Sequence, residues 1–185
     1  GVGTGFDYTE TFNTVGAAIF NGRKILQRVP LLFTVSIPDG NKITAATLSL
    51  NSFDKGNTTG VSPAWNIYSC IPFSDTSLIA SDYNISFWRD VPLSDTSIAY
   101  ADWVENGWNS WALNKDGISL IPTNGIARLG LREANYDAAN VDPGNTSGSC
   151  WGSLWMAEDT ITPPRLVVTY SAYTPPSFIP KIWIS

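Results

Sequence analysis

Histidine is absent from all 185 positions, which removes Ser-His-Asp and Cys-His catalysis and every His-based metal site at once. The chemistry left to side chains is that of carboxylates and indoles. Acids are paired at Asp102/Glu105, Glu133/Asp137 and Glu158/Asp159, and two carboxylates flanking a glycosidic bond are what glycoside hydrolysis requires. Each pair lies close in sequence within a polar stretch, the ordinary setting of solvated surface acids. No catalytic residue is therefore assigned, and the chain is expected not to be an enzyme. Asp137, Asp142 and Asn145, together with loop carbonyls, offer the hard oxygen donors that calcium takes. Their spacing follows no established ion-binding loop, and Asx turns account for the same residues. Calcium is thus the one candidate cofactor, and none is required.

The eight tryptophans open a different chemistry, because an exposed indole face stacks on the apolar side of a sugar ring. Trp103, Trp108 and Trp151 stand beside Gly, Asn, Ser and acidic residues able to bond hydroxyls, and they are the candidate glycan-binding residues. Trp65, Trp111 and Trp155 follow strand alternation and are expected to fill the core.

The elements that must position these residues read as β-strands. Alternation is strongest from Arg28 to Asn51: Val29, Leu31, Phe33 and Val35 recur at every second residue, and Ala46, Leu48 and Leu50 repeat the pattern. Between them, Pro38 removes a backbone donor and Gly40 permits a positive φ, so the chain turns there as a β-arch. Asn21-Gly22 between Ala18–Phe20 and Lys24–Leu26 predicts a tight hairpin. Further strands are expected around Trp65–Cys70, Trp108–Leu113, Gly125–Arg132, Leu154–Ala157 and Leu166–Tyr170. Asp54–Pro63 and Glu133–Gly148 read as polar loops, the second being the longest candidate for a functional loop. Asn114 is a plausible N-cap for one short helix that Pro122 terminates. No amphipathic crossover helices are written here, which argues against a parallel sheet. The expected fold is all-β, an antiparallel jelly-roll-like β-sandwich of eight to ten strands with one short helix.

A chain of this length buries roughly 70% of its unfolded surface as one domain, here residues 1–172. Charged residues make up 15% and aromatics 12%, with a net charge of −5. Such a surface of Ser, Thr, Asn and Gly suits an extracellular β-protein, and the lack of a Lys/Arg patch argues against nucleic acid as a partner. No apolar run reaches the roughly 20 residues of a membrane helix, so no membrane insertion is expected. Gly1–Gly5 shows neither a basic nor an apolar leader, so processing before this numbering or another route of export is expected. Cys70 and Cys150 form either one disulfide or two buried thiols. Residues 173–185 read as an extended Pro-rich tail, in which Ile182-Trp183-Ile184 is β-prone. That tail, with Phe178, Ile182, Trp183 and Ile184 as contact residues, is expected either to fold back on its own sheet or to join a neighbour's.

The arch, then Trp111, Leu113, Asn114, Gly117 and Ile118, then Leu129-Gly130-Leu131-Arg132, Glu158-Asp159 and Pro164–Tyr170 together resemble the DNRLRE-type β-sandwich family over Gln27–Tyr170. The resemblance implies a sandwich without catalytic residues, of a kind found as carbohydrate-binding modules of secreted proteins and as stand-alone bacteriophage structural proteins. The expected function is a structural or surface subunit of an extracellular assembly, foremost a phage virion, with glycan adhesion. A carbohydrate-binding module of a secreted protein is the alternative. Its partners would be copies of itself or other structural subunits, and cell-surface polysaccharide, at an extracellular or virion surface.

Overall fold

The computed structural model describes residues 12–20, 23–75, 79, 82, 84–144 and 148–173. They form ten strands, one short helix and two tight helical turns, and every strand pair is antiparallel. The strands are β1 (Phe12–Phe20), β2 (Arg23–Gln27), β3 (Val29–Ser36), β4 (Asn41–Asn57), β5 (Ala64–Ser69), β6 (Ile98–Ala99), β7 (Gly107–Ala112), β8 (Asn124–Glu133), β9 (Gly148–Trp155) and β10 (Arg165–Ala172). The first sheet runs β10-β4-β9-β1-β2 with β7 also on β4, and the second runs β3-β8-β5-β6. This is the all-β sandwich the alternation predicts.

The arch is as expected. β3 and β4 lie in different sheets, and Gly40 takes φ 77° at the turn. Val29, Leu31 and Val35 face Ala46, Leu48 and Leu50 within one core that also holds Ile67, Leu129, Leu131 and Leu154. The Phe20–Arg23 pairing leaves two residues for the hairpin loop of β1 and β2; that loop, Asn21-Gly22, lies outside the described residues. Asn114 caps the helix α1 (Lys115–Ser119), its side chain accepting from the amides of Asp116 and Gly117.

Two readings of the strands need correction. β4 does not stop at Asn51: it continues to Asn57 through an irregularity at Phe53. Its pairings with β7 and β10 overlap at Thr47–Ser49, so those strands take opposite edges, and β9 follows β10 along one edge. β9 itself begins at Gly148, six residues before the predicted start.

The stretch Glu133–Gly148 is a loop only in part. A π-turn spans Ala134–Ala138, and the Glu133 carboxylate accepts from the amides of Asn135, Tyr136 and Asp137 and, across the sheet, of Ala64. Burial pushes the Glu133 carboxyl above the usual range, against these amide bonds that favour its charge. The turn delivers Asp137 between Arg28, which bonds it at 2.6 and 2.7 Å, and Arg132, which bonds it at 3.1 and 3.2 Å. All three side chains are buried. Although burial opposes its charge, the hydrogen bonds and charges of Arg28 and Arg132 hold Asp137 below the ordinary carboxylate range.

Removing one member of a buried ion network strands the others, at a cost of about 3–5 kcal/mol. Asp137→Ala is expected to lose that much in urea unfolding at pH 7. Because the folded pKa is depressed, the contribution of Asp137 is full above its unfolded pKa of about 3.9 and fades as pH falls toward the lower folded value. Asp137→Asn should flatten that part of the acid limb; an unchanged limb would refute the assignment.

Candidate functional site

The tryptophans divide between the core and the outer face of the first sheet. Trp65, Trp103 and Trp111 form a buried stack, with ring centroids 4.6 Å and 6.0 Å apart. Trp103 donates Nε1–H to Ser52 Oγ at 2.9 Å, and Trp111 donates to Trp65 O at 3.1 Å. At 2% exposure Trp103 presents no face to a sugar. It is withdrawn as a glycan residue, because the turn before β7 folds its indole inward against Gly152. Trp155 is the opposite error. Leu154 takes the inward position with no exposure, so Trp155 stands on the outer face, its ring 4.4 Å from that of Phe53, with Phe12 edge-on to Phe53 at 5.7 Å.

Trp151 shares that face, four residues back along β9. A Cβ on Gly56 would collide with its six-membered ring, so the indole lies flat on the β4 backbone. Trp151 Nε1 donates to Asp54 Oδ2 at 3.1 Å, which fixes the ring's rotation. The result is a half-exposed aromatic plate locked in place before any ligand arrives. Trp108, on β7, is half-buried too, but the Arg165 guanidinium sits 4.2 Å from the centre of its ring. Its face is therefore shared with a cation and is not an open platform.

Between these aromatics lies Asn51. It pairs with Trp108 across β4 and β7, and continuing the Ser52–Leu154 register by one residue brings it beside Trp155. Its neighbours Leu50 and Ser52 face inward, so Asn51 points outward, yet it is only 9% exposed. Ser49 and Ser110 share a hydrogen bond of 2.8 Å on the same face. The arrangement is an aromatic surface with hydroxyl and amide groups set among the rings.

The other assigned residues fall elsewhere. Asp137 is unsuited to calcium, because both its oxygens are taken by guanidinium groups that would repel a second cation. Asp142 Oδ1 accepts from the Gly144 amide as an Asx turn, and Asn145 lies outside the described residues. Among the described residues no three acidic or sulfur side chains gather as a metal site. Cys70 and Cys150 are not joined by a disulfide. Cys70 directly follows β5 of the second sheet, in an isolated bridge with Trp88, and donates to Leu129 O, whereas Cys150 sits in β9 of the first. Burial pushes the Cys70 thiol up to about 12, which leaves it unreactive. Phe178, Ile182, Trp183 and Ile184 lie outside the described residues.

Trp155, Phe53, Asn51 and Asp54 are the residues of this surface that sequence reasoning missed. A signal existed for one of them: alternation through Leu154-Trp155 permits either residue to face in, and Leu154 is the smaller, more readily buried side chain. No known family model matches the chain, and no curated protein matches it.

Trp103→Ala should cost about 3–5 kcal/mol of stability, as deletion of a buried aromatic does. Trp151→Ala, on the surface, should cost under about 1.5 kcal/mol. Thermal and urea unfolding of the two variants checks the division, and equal losses would contradict it.

Proposed function

We propose that the protein is a non-enzymatic surface subunit of an extracellular assembly, and that the outer face of its first sheet binds glycan. The observation that carries this reading is the Trp151 indole, held flat by Gly56 and locked by Asp54. A rigid plate loses little conformational entropy when a sugar stacks on it, and the surrounding Asn, Ser and Asp groups suit hydroxyls. The low-charge surface and the resemblance to stand-alone DNRLRE-type phage proteins support a virion as the setting. The same face would serve a carbohydrate-binding module of a secreted protein, which is the second reading. The aromatic surface favours it equally, and the two differ in whether the chain assembles.

Retention on immobilised polysaccharides, followed by calorimetry on the glycan that is held, tests the surface. Trp151→Ala and Trp155→Ala should each weaken binding about tenfold, or about 1.4 kcal/mol, while Trp108→Ala should do less because Arg165 already covers its ring. A Trp151/Trp155 double variant that binds like the parent would dismiss this face.

A further inference from the structure

Resting on glycan binding by the outer face of the first sheet, we infer that the ligand is an internal stretch of a linear polysaccharide laid along β9, which meets Trp151 and Trp155 through sugars that are not adjacent. Both rings belong to that one strand. Residues four apart in a strand share a face and stand about 13 Å apart, at roughly 3.3 Å per residue. Leu154 faces inward without exposure, and a Cβ on Gly152 would meet the buried Trp103 ring. Trp151, Ser153 and Trp155 are therefore the outward row of β9. A single pyranose ring is about as broad as one aromatic ring and cannot reach both indoles. A ligand that uses both is a chain, with at least one sugar spanning the interval.

The interval itself suits a sugar. Ser153, 7% exposed, is a short side chain set low between the two rings, and it pairs with Asp54 across β9 and β4. The Asp54 carboxylate, which already accepts from Trp151 Nε1 at 3.1 Å, places acceptor oxygens beside the spanning sugar's hydroxyls. Each ring is also fixed beforehand: Trp151 lies flat on Gly56, and Trp155 is braced by Phe53 at 4.4 Å. Neither needs ordering when the ligand arrives, so a chain already stacked on one ring meets the other at a high effective concentration. Affinity must then step upward at the chain length that first reaches both. The third outward indole does not extend the row. Trp108 lies on the opposite side of β4 and shares its face with the Arg165 guanidinium, 4.2 Å from the ring centre, so the open rings define a line along β9 and not one across the sheet. A row of this kind reads sugars from the side, and neither end of the chain enters the contact.

The test is calorimetry of the full chain against a length series. The probes are the linear mono- to hexasaccharides of xylan, glucomannan and mixed-linkage β-glucan, with those cut from any other polysaccharide that retains the protein. For the sugar that binds, affinity should rise about tenfold or more between the disaccharide and the tetrasaccharide and then level off. Reducing the terminal sugar of the hexasaccharide to its alditol should change nothing. Trp155→Ala, with an unchanged circular dichroism spectrum, should bind the disaccharide as the parent does and the tetrasaccharide no more tightly than that. Equal parent affinity for the monosaccharide and the hexasaccharide, loss of binding on end reduction, or a step that survives in Trp155→Ala would overturn the inference and leave the glycan face standing. Binding to no glycan at all would remove the glycan face, and the inference with it.

Discussion

An indole laid against a glycine is the contact on which the two sheets depend. Trp103 rests on Gly152 from inside the sandwich, Trp151 on Gly56 from outside it, and Trp88 on Gly130 at the back of the second sheet. In each case a Cβ would occupy the space of the ring. Glycine within a strand costs roughly 0.5–1 kcal/mol, and for the buried Trp103 and Trp88 the aromatic surface removed from water outweighs it several-fold. The same contact thus serves cohesion when the ring points inward and presentation when it points outward. Glycine in these strands is the counterpart of tryptophan elsewhere in the chain.

That pairing explains which parts of the fold were legible in the sequence. β3 and the first half of β4 announce themselves because Val, Leu and Ala alternate there with polar residues, and Asn114 announces α1 because its side chain is chemically suited to a cap. Gly148-Ser149-Cys150-Trp151-Gly152-Ser153 and Asp54-Lys55-Gly56-Asn57 carry little strand propensity of their own. They are strands because they pair with each other and β9 pairs with β1, a tertiary reason with little local trace, and Gly56 and Gly152 leave room there for the rings of Trp151 and Trp103. Alternation also fixes parity without sign: it says that Leu154 and Trp155 face opposite ways, and only the space left beneath the sheet decides which goes inside. Trp103 lies in no strand, so no period could place it. The candidate surface was therefore visible in part, with Trp108 and Trp151 named for it, Trp155 assigned to the core, and Phe53, Asn51 and Asp54 unnamed.

Charge follows a similar division. A sequence with few charged residues places Arg28, Arg132, Glu133 and Asp137 out of solvent, where the two guanidiniums also flank the Trp88 ring at 5.9 Å. Arg28 is the single residue between β2 and β3, so its link to Asp137 fixes the point at which the chain crosses from one sheet to the other. The back of the second sheet is thereby sealed by an ion network under the irregular strap that runs beside β5, with Arg89 and Leu93 amides bonded to Ser69 and Ile67. The front of the first sheet keeps hydroxyls, amides and rings. The two outer faces of one sandwich are thus chemically unlike, one closed and ionic, the other open and aromatic.

β9 and β10 lie end to end along a single edge of β4, separated by Met156–Pro164, and among the described residues β9 is backed by a further strand, β1, while β10 pairs with β4 alone. A pull applied beyond Tyr173 would therefore enter the molecule through a strand that has, among the described residues, a single hydrogen-bonded neighbour. β10 would come away along Asn41–Ser49 and take Arg165 off the Trp108 ring, while β9 and the plate formed by Trp151 stayed clamped between β1 and the far half of β4. Mechanically the sandwich is a fuse in series with an anchor: tension is relieved at β10 and uncovers one more indole, and the ring locked on Gly56 keeps its place.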